Sequence, residues 1–375
     1  MYAHRPTRVE IDLDALGHNY NLVRSALPPA SAVLAVVKAD AYGHGAVAVA
    51  RHLQQLGADM FGVAMVEEGL ELRRSGISVP ILMLGGPWPG QEDVVAANDL
   101  QVAVFDAGQI ERLNRAAQLS GRRCLCHLKI DTGMGRLGVL PQHLAELLTL
   151  LRRCPHLEVA GVMSHLAVAD EVGHPYTARQ VELFCHCLEQ VRAAGFAPQH
   201  IHISNSAATF APLCAECTLV RPGIALYGGQ PTPSQPQPLR PVMNFRTEIA
   251  HLKQLPSGSS ISYGRHFTST RPTLIAAIPV GYADGYNRLL SNGAEVLVRG
   301  RRVPVAGNVC MDWTLLDVTD VPGVCAGDQV TLLGGDGAER ISAEEWAQRI
   351  GTISYEVFCQ ISKRVPRRYI CGAVG

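Results

Sequence analysis

Lys38 closes the apolar run 33–37 and is followed by ADAYGHG (39–45). An ammonium at the end of such a run is costly to desolvate, which drives the amine toward its neutral, nucleophilic form. That is the form an imine-forming lysine needs. A lysine that snorkels to solvent from a strand end is the competing reading, and the residue alone does not separate the two. A second group of reactive types lies far along the chain: Lys129, Asp131 and Arg136 in KIDTGMGRLG (129–138), Ser164-His165, Asn205-Ser206, and Arg221-Pro222-Gly223-Ile224. They can act together only if the fold collects them.

The elements that would do so are legible. Short apolar runs at 33–37, 61–65, 81–84, 102–105, 126–130, 159–164, 201–204 and 219–221 are separated by amphipathic stretches such as 46–56, 107–119, 141–153 and 178–194. Strand alternating with helix predicts right-handed βαβ units and a parallel sheet. Eight units over some 200 residues match an α/β fold of the (β/α)8 barrel type. No GxGxxG follows the first run, which argues against a dinucleotide-binding sheet. Residues 231–241 hold five prolines, a stiff connector. Beyond it, β-rich runs at 245–252, 273–280, 294–298, 303–306, 313–318 and 329–333 predict a mostly β C-terminal domain with one helix, 342–350, capped by Ser342 and Glu345. The expected domains are 12–240 and 241–375, with residues 1–11 able to pack on the second through a strand at 7–11.

In a barrel the active site sits at the C-terminal ends of the strands, and each polar group named above stands at such an end. Pro222-Gly223-Ile224 after the eighth run, with Ser206 after the seventh, is where barrels place a phosphate, on the N–H groups of a short helix. An imine-forming lysine facing a phosphate cradle points to pyridoxal phosphate.

Composition narrows the partners. Hydrophobic residues are 47% of the 375, charged residues 18%, and 33 basic side chains cancel 33 acidic ones. Disorder is excluded, and no global field exists to hold nucleic acid or an anionic membrane. No apolar run approaches the ~20 residues of a membrane span, and no secretory leader is visible at the start. Eleven cysteines without framework spacing suggest reduced thiols in the cytoplasm. Cys214-Ala215-Glu216-Cys217 is a lone CxxC, a weak sign of metal or redox chemistry, and Cys185-His186-Cys187 falls in a helical pattern.

The motifs, read together, resemble bacterial alanine racemases. VKADAYGHG (37–45), KIDTGMGRLG (129–138), NSAA (205–208), RPGIALYG (221–228), SYGR (262–265), PVGYADGY (279–286), CMD (310–312) and ISYE (353–356) occur in the family's order across both domains. The resemblance implies a homodimer interconverting L- and D-alanine, with D-alanine going to peptidoglycan. It implies Lys38 as the cofactor-bearing lysine and the base on the D face, and Tyr263 of the partner subunit as the base on the L face. Tyr42, Asn205, Ser206, Gly223, Ile224 and Tyr355 would lie around the cofactor, most of them at its phosphate, and Arg221 would meet the pyridine nitrogen. His165 would link Arg221 to the tyrosine, Arg136 would reach the cofactor's phenolic oxygen and the substrate carboxylate, and Met311 of the partner subunit would complete carboxylate binding. Tyr282, Arg288 and Asp170 match the substrate entrance. Lys129 matches a lysine that can be carbamylated; pairing with Asp131 is the alternative.

Some positions depart from the pattern. Leu166, Val168 and Asn308 replace an aromatic, a polar residue and, in many relatives, an arginine; the last removes a charge near the entrance. Asp312 either orients Met311 or closes a turn. His44 reads as a helix-start residue, and neither His202 nor Cys310 shows a role. Two other classes compete: a decarboxylase of basic amino acids, which Arg221 disfavours because such enzymes place an acid at the pyridine nitrogen, and a non-catalytic cofactor-binding barrel, which the second domain disfavours.

Overall fold

Runs rich in Val, Ile, Leu and Ala, buried on both faces, form parallel strands without a polar–apolar alternation. The computed structural model describes residues 5–372. In it the eight runs become β2 (Ala32–Val36), β3 (Met60–Val63), β4 (Ile81–Met83), β5 (Leu100–Val104), β6 (Cys124–Lys129), β7 (Leu157–Met163), β8 (His200–His202) and β9 (Leu219–Val220), with β6 and β8 carrying buried histidines. The pairs run β8-β7-β6-β5-β4-β3-β2-β9, all parallel. The Thr218 N–H donates to the Ile201 carbonyl (2.9 Å) and that of Arg221 to the Ser204 carbonyl (3.0 Å), which brings β9 beside β8 and closes the ring. Helices including Ala46–Gln55, Ala107–Ser120 and Pro175–Ala193 surround it, each with a buried apolar stripe. The expected (β/α)8 barrel is the observed one. It belongs to a unit made of Gly17–Ala41 and Gly45–Leu239.

A second unit takes residues up to Leu16, Tyr42–His44, and those from Arg240 on. Its strands are β1 (Arg8–Asp12), β10 (Met243–Glu248), β11 (His251–Leu255), β12 (Ser260–Ile261), β13 (Phe267–Thr268), β14 (Thr273–Ile278), β15 (Glu295–Val298), β16 (Arg301–Pro304), β17 (Thr314–Asp317), β18 (Gln329–Asp336), β19 (Glu339–Ile341) and β20 (Arg367–Ile370). One sheet runs β16-β15-β18-β10-β1-β20, with β19 on β18; another runs β11-β14-β17; β12 and β13 form a ribbon. β1 pairs antiparallel with β10 and parallel with β20. The apolar run 245–252, expected as one strand, is two. At Ile249 and Ala250 the chain changes sheets, their N–H groups donating to Asp328 and Ala277 carbonyls (both 2.9 Å). The helix Ala343–Ile350 is capped by Ser342, whose Oγ accepts from the Glu345 N–H at 3.1 Å. A second helix, Ser354–Gln360, was absent from the sequence reading because seven residues give too little periodicity.

Candidate active site

The segment after Lys38 has an unusual backbone. Ala39, Asp40, Ala41 and Tyr42 all have φ of 53–55°, a left-handed turn of four non-glycine residues. Each costs about 1–2 kcal/mol against the right-handed form, so the surroundings must hold it. The Ala39 N–H donates to Glu68 Oε1 (2.6 Å), the Ala46 N–H to Asp40 Oδ1 (2.7 Å), and the Gly45 N–H to the Asp40 carbonyl (2.9 Å). Strain held this way is a mark of functional segments. Lys38, half-buried, stands at its start, directly beyond β2.

Inside the barrel Arg221 is 4% exposed. Nη1 donates to the His202 carbonyl and to His202 Nδ1 (both 2.9 Å), while Nη2 donates to the Ser164 carbonyl (2.7 Å), the Ile203 carbonyl (3.3 Å) and His165 Nδ1 (3.3 Å). Burial lowers its pKa to about 10, so the guanidinium stays charged at neutral pH. A guanidinium can only donate, and this sets the tautomers. Both histidines accept at Nδ1 and carry their single proton on Nε2. His202 Nε2 then donates to His127 Nδ1 (2.7 Å), and His127 Nε2 to Gln101 Oε1 (2.9 Å). Burial, then the Arg221 and Arg136 charges, push His165 down to about 3; burial and its charged neighbours hold His127 at about 3 and His202 well below the usual imidazole range. All three rings are neutral near pH 7.

A group of backbone N–H donors lies just beyond β8 and β9. Asn205 caps the helix Ser206–Phe210, its Oδ1 accepting from the Ala208 N–H (3.1 Å). Ser206 Oγ accepts from the N–H groups of Gly223 (2.8 Å) and Ala225 (3.4 Å), at the start of the 3-10 turn Ile224–Tyr227. The fully buried Ile224 N–H finds no acceptor among the described residues. Helix-start donors left over in this way bind anions.

Lys129 is 6% exposed, and its Nζ donates to the Leu84 carbonyl (2.9 Å). Burial, then Arg221, Arg136 and Lys38, lower its pKa to about 8. Asp131 is not its ion-pair partner. Asp131 Oδ1 accepts from the N–H groups of Gly133 (2.9 Å) and Gly135 (3.0 Å), shaping the loop that presents Arg136 to solvent. Gly138 closes that loop with φ of 139°, where a Cβ would strike the Asp131 backbone.

The second unit carries the remaining candidates. Tyr263 is 72% exposed on a turn whose Ser262 and Arg265 have φ of 64° and 53°. Asn308, 7% exposed, holds that turn: Nδ2 donates to the Tyr263 carbonyl (2.7 Å) and lies 3.2 Å from His266 Nδ1, and the Asn308 carbonyl accepts from Ser262 Oγ (2.6 Å). Its side chain is thus spent on Tyr263 rather than offered at an entrance. Met311 is 53% exposed. Its loop is fixed because Gly281 lacks a side chain that would overlap the Cys310 and Met311 carbonyls. Those carbonyls accept from the N–H groups of Tyr282 (3.0 Å) and Ala283 (3.1 Å). Asp312 anchors the loop through Arg364 (2.8 Å). Tyr42 and Tyr355 meet with ring centroids 5.9 Å apart, and burial raises the Tyr42 phenol above the usual range. Arg288 and, on the barrel unit, Asp170 are exposed.

The structure brings Arg221 together with His165 and places Lys129 in the field of Lys38, Arg136 and Arg221. The sequence reading missed His127, Gln101 and the role of His202. The available signal was period-two spacing, since residues 127 and 129 on one strand and 200 and 202 on another must face the same side.

Comparison with known proteins agrees with this architecture. The family model described as "Alanine racemase, N-terminal domain" matches residues 11–231, and "Alanine racemase, C-terminal domain" matches 242–369. The alanine racemase of Geobacter sulfurreducens is 50% identical over 372 residues, covering 98% of this chain and 97% of its own length. That of Symbiobacterium thermophilum is 47% identical, covering 97% of each. A crystal structure of alanine racemase from Streptomyces lavendulae superposes with a TM-score of 0.93 at 38% identity, covering 99% of this chain and 98% of its own. The alanine racemase from Bacillus anthracis, solved with bound L-Ala-P, gives 0.91 at 39%, covering 99% and 96%. The chain therefore belongs to the alanine racemase family, isomerases that interconvert L- and D-alanine.

Proposed function

We propose that this racemase holds pyridoxal 5'-phosphate on Lys38 and works with two bases, Lys38 and Tyr263, drawn from different subunits of a homodimer. The observation that carries the reading is Arg221: a buried guanidinium fixed by three carbonyls and two neutral histidines at the rim where Lys38 stands. The donor set fits the cofactor. Ser206, Gly223 and Ile224, with Asn205 capping the helix that Ser206 begins, suit a phosphate dianion. Arg221 suits a ring nitrogen that must accept.

When bound, the cofactor delocalises the negative charge left on Cα by proton removal. Arg221 cannot give up its proton at neutral pH, so it keeps the ring nitrogen an acceptor and limits that delocalisation, which disfavours side reactions. The Lys38 amine takes or returns the proton on one face of Cα, and the Tyr263 phenol serves the opposite face. His165, neutral with its proton on Nε2, offers a donor that steadies the tyrosinate in the field of Arg221. Arg136 and the Met311 N–H bind the substrate carboxylate.

The dimer is supported by the second unit's surface, where Tyr263, Met311, Trp313, Leu289 and Ile353 are 46–72% exposed. Such side chains, where they gather into one patch, mark an interaction surface. No helix among the described residues is long and apolar enough to cross a membrane, and the eleven free cysteines suit the reducing cytoplasm, where D-alanine for peptidoglycan is required. The test is purified protein with L-alanine, L-serine and L-lysine in parallel. D-alanine as the fastest product supports the reading; carbon dioxide and an amine, or no turnover, refute it.

A further inference from the structure

Three thiols that the chemistry described above does not use cluster together. Cys185, on the helix Pro175–Ala193, places its Sγ 3.9 Å from Cys214 Sγ. Cys214 opens a turn in which the Cys217 N–H donates to the Cys214 carbonyl (3.2 Å), which brings the two residues to the same side of one tight turn. Cys217 lies two residues before β9, four before Arg221. The neighbouring Cys214 thiol holds the Cys217 thiol below the usual range against the opposing cost of burial. Hydrogen bonds at Ile203 and Ser204 and the Arg221 charge add to it. Cys217 and Cys185 are half-buried, so small oxidants reach them, while Cys214 is buried between.

We propose that Cys185, Cys214 and Cys217 form an oxidation site in which a hydroperoxide converts Cys217 and its neighbour Cys214 into a disulfide. The Cys217 thiolate attacks the terminal oxygen of the hydroperoxide; the O–O bond breaks, the alcohol leaves with a proton, and Cys217 becomes a sulfenic acid. Cys214 Sγ then attacks the Cys217 sulfur, the S–O bond breaks, water leaves, and the disulfide forms. Two thiols are oxidised and one peroxide reduced. Cys185, its thiol pushed up to about 11 by burial and by Cys214, lies 3.9 Å from Cys214 and, once it gives up its proton, displaces Cys217 in a slower thiol exchange that moves the disulfide without further oxidant. An external dithiol reverses both steps.

Selectivity is the discriminating expectation. Thiolate, not thiol, reacts with peroxide, so Cys217, held below the usual thiol range, outpaces an ordinary exposed cysteine at neutral pH, by about tenfold at most. Cys217 should therefore oxidise before Cys325, Cys359 and Cys371, which are exposed. The test treats the whole protein with limiting hydroperoxide, alkylates the remaining thiols, and digests with a glutamate-specific protease. Cleavage at Glu216 puts Cys214 and Cys217 on different peptides, so only a disulfide keeps them joined without reductant. The expected result is that linked pair first, with the Cys185–Cys214 pair appearing later, and a dimedone-trapped sulfenic acid on Cys217 in a Cys214→Ser variant. Oxidation of Cys325, Cys359 or Cys371 ahead of the cluster, or a sulfinic acid on Cys217 beside an alkylated Cys214, would overturn the proposal.

Discussion

Replacing Asn308 by aspartate changes one atom and almost no volume, yet it should disable Tyr263. Asn308 Nδ2 donates to the Tyr263 carbonyl at 2.7 Å, so an acid there would set a carboxylate oxygen against a carbonyl oxygen. Losing the donor costs about 0.5–1.5 kcal/mol, and the two facing oxygens repel in addition. The turn it holds already contains Ser262 and Arg265 in the left-handed region, each strained by about 1–2 kcal/mol. The two magnitudes are comparable, so the turn should loosen while the rest of the β unit stays folded. A displacement of the base of about 1 Å lowers turnover by up to ~100-fold. We therefore expect kcat to fall by ~10- to 100-fold in Asn308→Asp, and less in Asn308→Ala, which removes the bond without adding repulsion. Hydrogen exchange over residues 262–266 should rise in the same order, and the α-deuterium isotope effect on L-alanine should grow as proton removal by Tyr263 becomes limiting. If aspartate keeps activity within about twofold of wild type and alanine does not, Asn308 acts by filling space and the reasoning fails.

Three further outcomes follow from the same geometry. Lys38→Ala should abolish the visible absorbance of lysine-bound cofactor, because only an amine at that position can form the imine; a band surviving extensive dialysis would exclude Lys38. Lys129, with burial lowering its pKa to about 8, has a large neutral fraction near pH 8, the form that reacts with carbon dioxide. It should take up a labelled carbamate visible by 13C NMR, and a plain amine in bicarbonate-saturated protein would refute this. The neutral buried histidines should make the fold acid-labile. His127 and His165 are depressed to about 3 while the unfolded chain protonates near 6.5. Between those values the unfolded state binds more protons, so stability falls as pH drops through that window. Each histidine contributes up to about 1.4 kcal/mol per pH unit, and urea unfolding that is flat from pH 6.5 to 5 would contradict the assignment.

Much of this was readable in the sequence because the barrel strands are buried on both faces. Runs such as 33–37 and 81–84 stand out when no polar residue interrupts them, and the polar groups that follow them mark the rim. The barrel's interior was harder to read. His127, His202 and Gln101 sit within strands rather than at their ends, where a lone polar residue looks like tolerated noise until a partner strand brings it within 3 Å of another. The left-handed turn at 39–42 leaves no compositional trace, since Ala-Asp-Ala-Tyr is compatible with an ordinary helix start. Short elements such as Ser354–Gln360 and the switch of sheets at Ile249 depend on tertiary hydrogen bonds that local pattern does not encode.

The central claim is a site completed across a twofold dimer, and complementation tests it most directly. Lys38→Ala and Tyr263→Phe chains are each expected to be inactive in racemisation. Every contact in such a dimer occurs twice with the chains exchanged, so a mixed dimer has one site lacking both groups and one site with both intact. Random pairing makes roughly half the dimers mixed, and about a quarter of wild-type activity per site should return. If mixed dimers are present and activity stays at the level of the single variants, Lys38 and Tyr263 do not meet across the interface and the shared-site account is wrong.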